Sequence, residues 1–420
     1  MSKNKQSCAV GIIAEYNPFH NGHAYHIKKA KELTGSDYCI IAMSGDFVQR
    51  GAPAIYDKHT RTAMALSCGA DLVLEIPSLF ASSSAEDFAA CGVALLDSLG
   101  VINSLCFGSE SGDVGKLSGI ASILATEPVS YTEHLKKALK NGATFPEARN
   151  HGLISSGVLG AEDASILASP NNILGIEYCK ALHRQKSSMI PVTISREGMG
   201  YHETGLTEGV YGSATGIRKA LKESCGHLAA ETPALLHVPE PVTEMMKQGF
   251  PMFPQDLSGL LNTSLLRLAQ EGTSYKKFAD VSKELAARIQ GQLPDYLSFE
   301  EKVGSLKTRQ YTYTRVSRAL LHIILDVTLD KVQSGRRVGY APYARVLGFK
   351  KASSGLMGEI KQRGSIPLIT KTADAGMTLK GDAWSMLSQD FYCSHIYQTL
   401  VQDKYHIKRN NEFTQPLIIL

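Results

Sequence analysis

Short apolar runs and amphipathic stretches alternate through the first 220 residues. CAVGIIAEY (8–16), DYCIIAMSG (37–45), DLVLEIP (71–77) and SLCFGSE (104–110) have strand patterns. Between them, GHAYHIKKAKEL (22–33), DKHTRTAMALSCG (57–69) and SAEDFAACGVALLDSLG (84–100) have helical spacing. Gly35 ends the first of these helices, and Ser84 opens the third with Glu86 and Asp87 in its first turn. Further on, ASPNNILGIEYCKAL (168–182) is predicted helical, SMIPVTISR (188–196) a strand, and SATGIRKALKES (213–224) a helix capped by Ser213. Strands that alternate with helices of this length imply an α/β fold, a Rossmann-like parallel sheet covered on both faces. Ligands bind such sheets at the carboxyl ends of the strands. That places Glu15–His23, Ser44–Arg50 and Phe107–Glu110 along one rim.

The pattern changes near residue 225. DLSGLLNTSLLRLAQEG, YKKFADVSKELAARIQGQL and RVSRALLHIILDVTL have helical spacing with few strand signals between them. The expected organisation is an α/β domain over 1–224 followed by a mainly helical domain over 225–420. The chain's 420 residues, 43% hydrophobic and 20% charged, can bury a large core, which excludes disorder or coiled coil as the main state. No apolar run reaches the 18 or so residues of a spanning helix, and no secretory signal is read at the N-terminus. Eight cysteines without a CxxC pair fit buried thiols of a reducing cytosol, so a cytoplasmic location is expected. Residues 301–420 hold 18 Lys+Arg against 9 Asp+Glu, whereas residues 1–300 hold 26 against 31. One basic end on a nearly neutral protein suggests a polyanion bound there.

The sharpest chemistry lies in AEYNPFHNGHAYHI (14–27). A strand ends, a turn follows, and a helix starts near Gly22 with His23 in its first turn. A helix start presents N–H groups and the positive end of the dipole, which together hold phosphate. Gly22 admits a phosphate or adenine close to the backbone. His20 and His23, three residues apart, can both donate into one anionic site, which suits phosphoryl or nucleotidyl transfer. DVGKLS (113–118) fails as a Walker A motif because position 110 is Glu and Leu117 stands for Ser/Thr. Asp46, Gln49 and Arg50 follow the second strand; Asp46 is read as orienting a substrate or a metal-bound water, Arg50 as holding phosphate or carboxylate. Gly108 at a strand end admits a flat base, Asn171 at a helix start is placed for ribose or base, and Arg196 ends a strand. Ser213 and Arg218 put a hydroxyl and a guanidinium at another helix start.

The HNGH segment resembles the HxGH signature of the nucleotidyltransferase superfamily. Together, EYNPFHNGH, SGDFVQRG, LCFGSE, SPNNILGIEY, ISREGMGYH and SATGIR, continued by YTYTRVSRALLHIIL (311–325) and YARVLGF (343–349), resemble the bacterial tRNA(Met) cytidine acetate ligase family. The resemblance implies activation of acetate by ATP to acetyl-adenylate, with release of pyrophosphate. Transfer of acetyl to the wobble cytidine of elongator tRNA(Met) would then give N(4)-acetylcytidine. It implies an ATP site on Ile13, Ala14, Glu15, Tyr16, Asn17, Pro18, Phe19, His20, Asn21, Gly22, His23, Ala24, Tyr25 and His26, together with Gly108, Asn171 and Arg196. His20, His23 and Asp46 are the expected catalytic groups; Mg²⁺ is expected to accompany ATP, and no residue is assigned as a metal ligand.

An RNA loop is read by stacking on aromatic rings and by Arg. Tyr311, Tyr313, Arg315, Arg318, Arg336, Arg337, Tyr343, Arg345, Lys350 and Lys351 supply such groups, and at least half are expected to be structural or merely solvated. Arg336, Arg337, Lys350 and Lys351 are the expected core of the docking surface. A small-molecule adenylyltransferase acting on a phosphorylated cofactor precursor is the alternative, followed by an RNA-binding protein that holds ATP only as a ligand. The first gives no role to some 200 further residues with a basic end.

Overall fold

A computed structural model of the chain describes residues 8–155, 157, 160, 166–195, 213–224, 232–293 and 295–420. Its strands are β1 (Ala9–Ala14), β2 (Tyr38–Ser44), β3 (Phe47–Val48), β4 (Ala52–Pro53), β5 (Leu72–Ile76), β6 (Ile102–Ser109), β7 (Ile190–Ser195), β8 (Ala344–Phe349), β9 (Leu368–Ile369) and β10 (Ile418–Ile419). β3 and β4 form a small antiparallel hairpin. The others make one eight-stranded sheet in the order β10-β8-β5-β2-β1-β6-β7, with β9 also on β8. The five strands from β5 to β7 in that order are mutually parallel, as the alternation of strands and helices predicts.

Side chains alternate between two covered faces. Ile40, Ala42, Leu72 and Leu74 enter one apolar cluster, while Cys39, Ile41, Met43 and Val73 enter the other. Burial on both faces explains why these strands read as nearly unbroken apolar runs.

The region after residue 225 is mainly helical, as expected, but it also adds strands to the sheet. β8 pairs antiparallel with β5, matching Phe349 to Leu72 and Arg345 to Glu75. Leu320, Tyr343 and Leu387 share one core cluster with Leu72 and Leu74. The helical region therefore packs on the α/β layer and extends its sheet edge. β8 was legible only as an apolar stretch because ARVLGF is short and follows a long helical series.

Two further consequences position the site. Strand order runs β1, β2, β5 in one direction and β6, β7 in the other, so the carboxyl ends of β1 and β6 open a crevice at the switch point. The antiparallel β8 ends at the opposite, amino rim, where the Lys350 amide donates to the Asp71 carbonyl.

Candidate active site

A cavity of about 230 Å³ occupies this crevice. Its walls include Ile13, Ala14, Glu15, Tyr16 and Asn17 after β1, with His20, Gly22, His23, Tyr25 and His26 from the following turn and helix. Gly108 of β6 and Asn171 face the same space. Of the predicted set, Pro18, Phe19, Asn21 and Ala24 do not line it. Phe19 is fully buried beneath the loop, and the Asn21 amide reaches the Leu236 carbonyl. Arg196 lies outside the described residues.

His20 is the N-cap of the helix Asn21–Thr34. Its Nδ1 accepts the Gly22 N–H at 3.1 Å, and His23 Nδ1 accepts the His20 N–H at 3.3 Å. The two rings stack with centroids 3.7 Å apart. In each neutral ring the proton therefore sits on Nε2, the edge away from the helix backbone. A Cβ on Gly22 would come within 2.9 Å of the His20 ring, so this glycine makes room for a histidine as well as for a ligand. Tyr16 adopts φ 49°, and its buried ring meets Phe19 and His23 edge-on at 4.8 Å each.

The cavity also has basic lining. The helix Ala214–Glu223 starts at the cavity, capped by Ser213, whose Oγ accepts the Gly216 N–H at 3.0 Å. Arg218 donates to the Asn17 carbonyl at 2.7 Å and to Thr215 Oγ1 at 3.0 Å. Arg50 reaches the same Thr215 hydroxyl at 3.4 Å. Two guanidiniums and a helix N-terminus thus line the same cavity as the paired imidazoles, a setting for a polyphosphate.

The apolar end is closed by Phe88, Phe107, Leu174 and Tyr178. Of these, Phe107 was placed on the rim by sequence, whereas Phe88, Leu174 and Tyr178 read there only as helical core positions. Asn171 lines the cavity and is held by Glu110. Its amide nitrogen donates to Glu110 Oε1 at 2.6 Å, and Glu110 also takes the Asn171 and Asn172 backbone N–H groups.

Arg61 was missed by sequence reasoning. It is fully buried and donates to four main-chain carbonyls: Tyr56 at 2.8 Å, Glu15 at 2.6 Å, Ser44 at 3.0 Å and Gly45. It thereby ties the ends of β1 and β2 beside the cavity. Its signal was an arginine on the apolar face of the helix Lys58–Ser67.

Asp46 is a correction. It does not line the cavity; it is buried in an ion cluster beneath it. Its Oδ1 accepts the Lys58 backbone N–H at 2.8 Å, and its Oδ2 takes the Ser394 hydroxyl at 2.6 Å. Lys58 Nζ reaches Glu75 at 2.9 Å and Glu412 at 3.2 Å, and Arg345 pairs with the same two carboxylates. Burial raises the Asp46 carboxyl, against the pull of Lys58. Burial also pushes Glu412 up, but Lys58 and Arg345 together hold it well below the usual carboxylate range. Ser394 Oγ lies 2.6 Å from Asp46 and 2.5 Å from Glu412, with one proton for two carboxylate oxygens. Asp46 is thus committed to holding the frame and has no path to a substrate.

Five of the ten predicted RNA-contact residues are engaged internally, in line with the expectation that at least half would be structural. Arg345 is in the ion cluster, and buried Tyr343 bonds Asp390 at 2.5 Å. Arg336 grips Asp87 with two bonds of 2.9 and 2.7 Å, Arg318 donates to Asp280 at 2.9 Å, and Tyr311 meets Ser282 at 2.5 Å.

Comparison with known proteins agrees with this geometry. The HIGH Nucleotidyl Transferase family matches residues 8–412. The tRNA(Met) cytidine acetate ligase of Acetivibrio thermocellus is 38% identical over 416 residues, 98% of this chain and 99% of the relative. The enzyme of that name from Caldanaerobacter subterraneus subsp. tengcongensis is 40% identical over 420 residues, 98% of this chain and 100% of the relative. The apo crystal structure of Thermotoga maritima TmcAL superposes with a TM-score of 0.91 at 29% identity, covering 98% of this chain and 99% of that one. The same protein bound with alpha-thio ATP gives 0.88 at 29% identity and the same coverage. The chain therefore belongs to the tRNA(Met) cytidine acetate ligase family of HIGH nucleotidyltransferases.

Proposed function

We propose that this chain is an ATP-dependent acetate ligase acting on the wobble cytidine of elongator tRNA(Met). The observation that carries the proposal is the pair of stacked imidazoles whose Nδ1 atoms are fixed by backbone N–H groups, lining one cavity together with Arg50, Arg218 and a helix N-terminus. That arrangement holds a triphosphate from two sides without rearrangement at the moment of reaction. An acetate oxygen attacks the α-phosphorus, the bond to the β-phosphate oxygen breaks, and pyrophosphate leaves with its new charge against the basic wall. His20 and His23 donate from Nε2 to phosphate oxygens as charge builds there. Gly108 and the Phe107–Tyr178 wall accommodate the base. The N4 amine of cytidine then attacks the acetyl carbon, the bond to AMP breaks, and the amine proton passes to solvent. Adenylation serves to turn a poor leaving oxygen into a phosphate ester.

Mg²⁺, where it accompanies ATP, would be carried by the triphosphate oxygens, as is usual for this hard cation. The region over 225–420 supplies the RNA-binding side. No helix among the described residues is long and apolar enough to cross a membrane, and a cytoplasmic location accompanies a tRNA substrate.

The direct test incubates the protein with ATP, labelled acetate and unmodified tRNA(Met). Pyrophosphate release that requires acetate, with label appearing in RNA, is expected. Release only with a phosphorylated small acceptor, or none at all, would overturn the reading.

A further inference from the structure

A second concavity lies outside the nucleotide cavity. The turn joining the helices Val129–Lys140 and Phe145–Ser155 faces the segment 284–311 across a groove of about 510 Å³. Gly142, Thr144, Arg288, Arg309, Gln310 and Tyr311 line it. Both arginines are exposed. Among the described residues, Arg309 makes a loose pair with Glu147 at 3.7 Å, with side chains 84% and 51% exposed. Such a pair contributes little and yields readily to a stronger anion. The acid in the wall, Glu284, takes the Tyr311 hydroxyl at 3.2 Å. Arg315 adds a third guanidinium, 5.0 Å above the Tyr311 ring.

This groove is joined to the nucleotide cavity by one helix. Tyr311 precedes the helix Tyr313–Ile324, and Ser317 of that helix donates to the Gly51 carbonyl at 2.9 Å. Gly51 follows Arg50, which lines the cavity. A Cβ on Gly51 would strike the Arg318 backbone nitrogen at 2.3 Å, so the helix and the rim loop touch main chain to main chain. Within that helix, Tyr313 to Ser317 rises by about 6 Å. By contrast, Lys350 and Lys351 lie at the amino rim: β8 ends beside Leu72 at the start of β5, and the Lys351 amide donates to Leu420. The length of β5, at about 3.3 Å per residue, separates them from the rim that carries the cavity.

We propose that the groove holds the single-stranded RNA backbone next to the base being acetylated. Arg288 and Arg309 contact phosphates, and the Tyr311–Arg315 pair forms the floor that leads toward Arg50. This rests on the ligase reading, because only then must an RNA loop present a base at that rim. Guanidiniums spaced around an aromatic floor, with few fixed acids, fit an extended anionic chain.

The test uses the full chain and an unmodified tRNA(Met) anticodon stem-loop, followed by fluorescence anisotropy over a salt series. Acetate-dependent ATP–pyrophosphate exchange without RNA is measured in parallel. Arg288→Glu/Arg309→Glu is expected to weaken RNA binding by roughly tenfold or more. Its slope of log K against log salt should be shallower by about 1–1.5, as two lost single-strand phosphate contacts require. Exchange should be unchanged, and Lys350→Glu/Lys351→Glu should leave both readings at wild-type values. Wild-type RNA affinity and slope in the Arg288/Arg309 variant, or their loss in the Lys350/Lys351 variant instead, would overturn the assignment. Duplex RNA that competes as well as the stem-loop would also overturn it. If charge reversal prevents folding, Arg288→Gln/Arg309→Gln gives the same readings with a smaller change. Absence of exchange in the wild type sinks the ligase reading separately, because RNA binding is read without turnover.

Discussion

The nucleotide cavity and the ion cluster beneath it are both dense in polar groups, yet they are built on opposite rules. The cavity is lined by two imidazoles, two guanidiniums and the start of a helix, with the Glu15 carboxylate accepting the Gln49 amide at 2.9 Å. The cluster faces only protein, and its charges close on themselves: Lys58 and Arg345 against Glu75 and Glu412, with Ser394 bridging to Asp46. The first arrangement gathers basic groups along an open cleft, and the second pairs its charges inside the protein. Excess of one charge sign in an open cleft marks function, whereas a sealed and neutralised cluster marks architecture, although both contain strongly placed ionisable groups.

The contrast breaks most severely at Glu412. Glu412→Ala leaves two buried cations with one carboxylate and should reduce stability by about 3–5 kcal/mol in urea unfolding. Adenylation by the protein that remains folded should persist. A loss under about 1 kcal/mol, as for a surface pair, would show that the cluster is not sealed.

His23→Ala acts in the other direction. It should lower acetate-dependent pyrophosphate exchange about 10²–10³-fold, the range for removal of a preorganised donor. Stability should change only by about 1 kcal/mol, the worth of the bond from His23 to the His20 amide. Full acetate-dependent turnover by this variant would remove the phosphate role from the imidazole pair.

Asp390 sharpens the picture most finely. Burial and the nearby Glu75 raise its carboxyl to about 6, despite the Tyr343 and Ser78 hydrogen bonds. The folded chain therefore holds a proton there that the unfolded chain has released from about pH 4 upward. Stability from this group is present below about pH 4, falls as pH rises toward 6, and stays lost above. Asp390→Asn removes the titration. Its stability relative to wild type should be higher near pH 7.5 than near pH 4, by up to about 3 kcal/mol. An offset that does not change with pH in denaturant titrations would place the titrating group elsewhere.

Legibility followed the range of the interactions. The HNGH turn could be read because a strand end, a glycine and two histidines sit within ten residues, and local backbone geometry brings them together. The cap on His20 and the stacking of the rings are consequences of that spacing. The role of Asp46 was misread because its rim position was visible while its partners were not: Lys58 is 12 residues away, but Ser394 is 348. Arg345 likewise carried an RNA-contact reading until β8 paired with β5 and turned its side chain onto Glu75. Lys350 and Lys351 looked like one patch with Arg336 and Arg337 because they are near in sequence, yet β8 carries them to the amino rim.

By itself, the order of residues determined the alternation of strands and helices, the rim at the carboxyl ends of the strands, and a phosphate-gripping turn. All three depend on periodicity and on contacts within a few residues, which the chain encodes locally. Only the tertiary structure decided which charges face a substrate and which neutralise one another, and which basic side chains share a rim with the cavity. Those outcomes depend on pairings between segments hundreds of residues apart, where burial rather than residue type sets what a carboxylate or guanidinium can do.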